Sequence, residues 1–187
     1  MMMRASLLLL ALLLAACGGN NSARYLVDAP ASDGVRNVRV RSIEVRDVVL
    51  PAYAAAIEIA QQDETGALRN VPDTLWADEP VRGITAELAR SLDIGSSATV
   101  AAEPWPLDTP ADVQLTVRVE RMVAGADGHF TLSGQCAIAA PDGVVRERLV
   151  RFDIRIPLKA ADASAIAAAT GQGIAALADD IIATLSR

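Results

Sequence analysis

The chain has 187 residues, with 17 basic and 23 acidic side chains, one histidine and two cysteines, for a net charge of −6. That balance repels phosphate backbones and excludes a nucleic-acid binder. It also offers no polybasic patch for anionic headgroups, so the expected membrane contact is through covalent lipid.

The first element is a greasy run, LLLLALLLAAC, that stops at Cys17 and turns into glycine, asparagine and serine. From Ala5 to Ala16 it is twelve residues long, too short for the about 20 apolar residues of a membrane-crossing helix. With Arg4 as a positive flank, residues 1–16 read as a signal peptide. Leu14-Ala15-Ala16-Cys17 resembles the bacterial lipobox, in which the thiol accepts a diacylglyceryl group before cleavage exposes it as the new N-terminus. Each buried methylene contributes roughly 0.8 kcal/mol, so several acyl chains anchor almost permanently. Gly18 stands where an aspartate marks inner-membrane retention in enterobacterial lipoproteins, which favours the outer membrane. Residues 17–23 then form the lipidated cysteine and a flexible tether, with a span of roughly 20 Å at most. Residues 24–187 are expected to form one domain, long enough to bury roughly 70% of the unfolded surface.

In the body, residues 24–27 predict a short strand and 28–34 a loop rich in Asp, Pro, Ser and Gly. Residues 37–45 predict a strand whose alternation changes phase near Ser42, as a bulge would produce. Ile57 and Ile59 predict another strand, which a polar turn at 61–66 folds back into a hairpin with 67–71. Asp78-Glu79-Pro80 opens a helix whose stripe is Val81, Ile84, Leu88 and Leu92, and Gly95 ends it; Gly83 within it suggests close packing. A short strand at 98–102 leads into a proline-rich loop around Trp105. Residues 112–123, 130–139 and 144–156 alternate apolar and polar side chains between tight turns, an antiparallel meander. Ile166, Thr170, Ile174, Leu177, Ile181 and Leu185 form one stripe of a closing helix over about 162–185. The expected fold is therefore α+β and two-layered, a mainly antiparallel sheet with two amphipathic helices on one face.

Catalytic equipment is sparse. No phosphate loop, nucleophile elbow or Cys-x-x-Cys pair occurs. His129 stands beside the turn Ala126-Asp127-Gly128 and reads as a solvated loop side chain, while Cys136 falls on the apolar face of its strand. The carboxylates of Asp63-Glu64 and Asp78-Glu79 read as turn solvation and helix capping, without the spaced ligands a metal requires. No cofactor or metal is expected. Trp76 fits either a plug at the helix entrance or a partner contact. Trp105, stiffened by Pro104 and Pro106, suits docking a partner as well as packing over a sheet end.

The order lipobox, Tyr25-Leu26-Val27, Leu50-Pro51-x-Tyr53, Trp76 with Glu79-Pro80 before a helix, Pro104-Trp105 and an alanine-rich terminal helix resembles the ABC-type transport auxiliary lipoproteins, the PqiC-like family. The resemblance runs from about Tyr25 to Leu185. Two departures stand out: the tryptophan motif is one residue longer, and Ala54-Ala55-Ala56 follow Tyr53 where the family has a leucine and a basic residue. The resemblance implies a fold similar to the TolB N-terminal domain. It also implies a non-enzymatic accessory lipoprotein on the periplasmic face of the outer membrane, serving an MCE-type system with ABC or inner-membrane components that moves lipid between membranes. Related proteins form rings that dock on an MCE tube, which leaves room for a homo-oligomer. Tyr53, Trp76 and Trp105 are then the partner-binding candidates, and Cys17 the lipidation site. A second reading is a periplasmic lipid carrier with its own apolar cavity, although only two phenylalanines are available to line one; a third, an envelope hydrolase, rests on His129 alone.

Overall fold

The spine of the molecule is one twelve-residue strand, Val113–Ala124. The computed structural model describes residues 21–187, so Cys17 and the predicted signal peptide at 1–16 lie outside the described residues. In chain order the elements are β1 (Ala23–Tyr25), β2 (Ser42–Val45), α1 (Ala52–Ala55), β3 (Glu58–Gln62), β4 (Leu68–Trp76), α2 (Pro80–Gly95), β5 (Thr99–Ala102), β6 (Val113–Ala124), β7 (His129–Ala139), β8 (Arg148–Pro157) and α3 (Ala163–Leu185).

One edge of β6 carries the meander: Gln114 opposes Ala139 and Ala124 opposes Phe130, and β8 continues antiparallel beyond β7. The other edge is shared. Its beginning pairs with β2, which in turn pairs with β5, and its end pairs with β3, which leads to β4 and β1. The β1–β4, β2–β5, β2–β6 and β3–β6 pairings are parallel. The sheet is therefore mixed rather than mainly antiparallel. The predicted hairpin and meander have tight turns that mark them locally, whereas parallel partners lie far apart in the chain and leave no such mark.

Alternation on β6 buries Val113, Leu115, Val117 and Val119 and exposes Thr116 and Arg118. A bulge between Val119 and Arg121 then shifts the phase by one, bringing Met122 and Ala124 inward. On β7 every second residue from Phe130 to Ile138 is buried. Both long helices meet the sheet and pack on each other, with Ile84, Leu88 and Leu92 of α2 and Ile174, Leu177 and Ile181 of α3 buried. Asp162 caps α3 by accepting from the Ala165 amide at 2.8 Å.

Several expectations need correction. The strand predicted at 37–45 is only β2, because the preceding backbone bonds elsewhere: Arg36 N–H donates to the Gly95 carbonyl, Arg39 N–H to the Leu185 carbonyl, and Arg41 N–H to Asp112. Ser42, where the phase changes, is where the ladder begins. β4 runs on past Pro72 to Trp76. Proline is tolerated there because β1 covers only Thr74–Trp76 and the register to β3 shifts nearby. Gly83 is not a close contact, since a Cβ would meet only the Asp78 Cβ at 4.0 Å. The tight approaches are at Gly134, where a Cβ would fall 2.2 Å from the Arg118 carbonyl oxygen, and at Gly171, where it would fall 1.9 Å from that of Asp28.

Candidate functional site

The first described residues are tied down from Ala23 onward. Tyr25 of β1 lies in register with Trp76 of β4, and its carbonyl accepts from the Ala77 amide at 2.8 Å. Beyond them, Glu87 of α2 accepts from the Ala29 amide at 2.9 Å and from Arg90 Nε, also at 2.9 Å. Arg90 in turn donates to the Ala29 carbonyl at 3.1 Å. Both polar groups of one backbone residue are thus held by an i,i+3 pair on α2, while Gly171 of α3 lets the Asp28 carbonyl lie against the helix. Residues 23–29 form a strap over the two helices. Sequence reading missed this clamp, since a glutamate and an arginine three apart are common on any helix.

Strap, β4 and the start of α2 enclose an apolar cleft of about 200 Å³, lined by Tyr25, Leu26, Val27, Trp76, Pro80 and Gly83 among others. Two separate segments of the sequence pattern, Tyr25-Leu26-Val27 and Trp76 with Glu79-Pro80, therefore meet in one place. Of the three aromatic candidates only Trp76 lines this cleft, and it is 5% exposed, as the plug at the helix entrance requires. Tyr53 is half-buried on α1, and its hydroxyl accepts from the Met122 amide at 3.2 Å, satisfying backbone at the β6 bulge. Trp105 is half-buried in the β5–β6 loop, where its indole N–H donates to the Thr109 carbonyl at 2.8 Å.

Reactive groups are spread apart. His129 Nδ1 lies 3.0 Å from the Asp127 carbonyl oxygen, and the Asp127 carboxylate is held by Arg155. Cys136 is buried on β7, and desolvation pushes its thiol up to about 12, so it stays protonated at neutral pH. Among the described residues no group of three His, Cys, Asp or Glu side chains is placed to hold a metal ion.

The Asp63 carboxylate, in the β3–β4 turn, is held down to about 2, first by the Thr65 hydroxyl at 2.6 Å and then by Arg69 Nε at 3.1 Å. A carboxylate with a lowered folded pKa contributes stability that is complete above its unfolded value of about 3.9 and fades as pH falls below it. Asp63→Asn is therefore expected to flatten the acid limb of the stability profile between about pH 4 and 2. Thermal denaturation across that range checks it, and parallel curves for variant and parent would refute it.

The family model described as the ABC-type transport auxiliary lipoprotein component matches residues 25–182. The chain belongs to this family. Membership makes it an auxiliary component of ABC-type transport and places it, as a lipoprotein, at a membrane of the cell envelope. The matched span begins at Tyr25 of the strap and ends within α3, so the apolar cleft lies inside it. Among solved structures the auxiliary lipoprotein is similar to the protein XCC0632 from Xanthomonas campestris. That likeness has a TM-score of 0.65 at 17% identity, covering 88% of this chain and 93% of the other. A crystal structure of an uncharacterized protein has a TM-score of 0.67 at 17% identity, covering 85% of this chain and all of the other. These likenesses establish the fold. No curated protein matches the chain.

Proposed function

We propose that this auxiliary lipoprotein is a non-enzymatic adaptor of an MCE-type system that moves lipid between membranes. In this reading acyl groups on Cys17 anchor it to the periplasmic face of the outer membrane, and the body at 24–187 meets the transport partner as one copy or a ring of copies. The observation that carries it is the lipobox-like run Leu14 to Cys17, joined by a few residues to a strap clamped on the helices. A tether of a few residues that ends at a clamped strap transmits position from membrane to body. Gly18 after the cysteine favours the outer membrane. Of the aromatic candidates, Trp105 is proposed as the partner contact, because Tyr53 and Trp76 are engaged in holding the frame.

Two measurements test this. Cys17→Ser should abolish palmitate labelling, and residues 17–187 carrying Cys17→Ser behind a secretory signal cleaved without acylation should leave the membrane fraction with an unchanged denaturation midpoint. Co-purification of the wild-type lipoprotein with MCE or ABC subunits, from membranes solubilised in neutral detergent, should succeed and weaken on Trp105→Ala. Persistent membrane attachment of the secreted 17–187 form would remove the anchor, and absence of any such subunit would remove the adaptor. The carrier reading predicts instead that the Cys17→Ser protein moves lipid between vesicles with no MCE or ABC subunit present.

A further inference from the structure

Charge is distributed unevenly over this acidic chain. Of the fifteen arginines from Arg24 to Arg187, eight hold a carboxylate in an ion pair. Of the other seven, four line a single cavity of about 220 Å³: Arg39, Arg146, Arg148 and Arg187. They come from the segment before β2, from the β7–β8 loop and start of β8, and from the residues after α3. No run of basic residues announces them, so the expectation that the chain lacks a basic patch is overturned by tertiary structure. Glu147, between two of them in sequence, uses its carboxylate to accept from the Ala140 amide at 3.2 Å. None of the four holds a carboxylate in an ion pair; like charges gathered in this way repel one another, and a bound anion would relieve that.

Beside this basic cavity lies a second, of about 270 Å³, which shares Ile138, Thr184 and Arg187 with it. It is lined by Cys136, Val150, Phe152, Leu177 and Ile181, between the C-terminal half of α3 and the inner face of β7 and β8. Asp180 and Arg151 stand among its lining residues, and Arg151 is already paired with Glu120. One half of the joint groove is therefore apolar and the other is an arginine rim. Together they fall in the range of roughly 300–1,000 Å³ typical of small-molecule sites. We propose that this groove binds a single anionic lipid, its acyl chain along Cys136, Val150 and Ile181 and its charged headgroup on Arg146, Arg148, Arg39 and Arg187. Arginine suits a phosphate because its planar fork donates two parallel hydrogen bonds.

The groove goes beyond the adaptor reading and does not require it: failed co-purification would leave this site standing, and a failed titration would leave the adaptor standing. The test is calorimetric titration of residues 17–187 carrying Cys17→Ser, so that neither acyl groups nor the apolar run of residues 5–16 compete. The probe is lyso-phosphatidylglycerol below its micelle-forming concentration. Binding is expected to exceed that of lyso-phosphatidylcholine by about tenfold and to weaken with salt. The double variant Arg146→Ser/Arg148→Ser should weaken it by about tenfold. The double variant Arg118→Ser/Arg121→Ser, which removes two arginines that hold no carboxylate and lie outside this groove, should leave it unchanged. Equal binding of the two lysolipids, or equal loss in both double variants, would overturn the site. Inorganic phosphate or polyglutamate displacing the lipid at matched concentration would overturn it as well, by showing a bare anion site or a surface for acidic protein.

Discussion

Gly171→Ala is expected to destabilise the protein by about 3 kcal/mol or more, at the upper end of what overpacking costs. The new methyl would lie 1.9 Å from the Asp28 carbonyl oxygen and 2.6 Å from its carbon, both backbone atoms that no rotamer change can move. Helix propensity pulls the other way, since alanine is favoured over glycine within a helix by about 1 kcal/mol, but that is the smaller term. Relief requires the strap to lift, and lifting it breaks the bonds from Ala29 to Glu87 and Arg90. The buried Glu87 carboxylate would then lose a donor. Chemical denaturation measures the loss, and hydrogen exchange at the Ala29 amide shows whether the strap has come away. A variant as stable as the parent, with Ala29 still protected, would mean that strap and helix are not in contact as described. The anchoring proposed for Cys17 should be untouched, so the variant separates attachment to the membrane from fixation of the strap on the helices.

Phe130→Ala is expected to cost about 3–5 kcal/mol, the usual range for removing a buried aromatic ring. Phe130 is 1% exposed and sits at the hairpin end of β7, opposite Ala124 and Ile156. Its ring reaches α3 at Gly173, whose missing Cβ would lie 3.3 Å from Phe130 Cε1. The ring thus fills the space that a glycine on α3 leaves, and neither residue alone can close the gap after truncation. Only two phenylalanines occur in the chain, so the surrounding core is aliphatic and has few large side chains to move inward. Urea denaturation of Phe130→Ala and Phe130→Leu tests this, with leucine expected to recover more than half of the loss. Equal costs for the two would show that ring volume at this position is not what joins sheet and helix.

Both variants fall on contacts between segments far apart in the chain, and this marks the limit of sequence reading here. The meander was legible because Val113–Val119, Phe130–Ile138 and the intervening Gly125–Gly128 turn carry alternation and turn chemistry locally. α3 was legible for a similar reason, from Ile166 to Leu185 along one stripe. The parallel partners of β2, β3 and β4 were not, since nothing near Ile43 says that it will lie beside Val100 on one side and Val113 on the other. The segment before β2 looked like a strand by alternation, yet its amides go to the ends of both long helices and to Asp112. Gly83 looked like a packing glycine and is open, while Gly171, in a run of small residues, carries the tight contact. Small size permits close approach but does not say where another backbone will pass.

The candidate site divides in the same way. The resemblance of Leu14 to Cys17 to a lipobox is a property of a short segment and was legible in the sequence by itself, as were the two helices and the three-stranded meander. Tertiary structure decided that Tyr25 and Trp76 meet at one cleft, that Glu87 and Arg90 clamp Ala29, and that Arg39, Arg146, Arg148 and Arg187 converge. The physical reason is range. Alternation, helical stripes and turn residues act over a few positions, whereas the meeting of charges or of backbones depends on which faces the packed sheet and helices bring together.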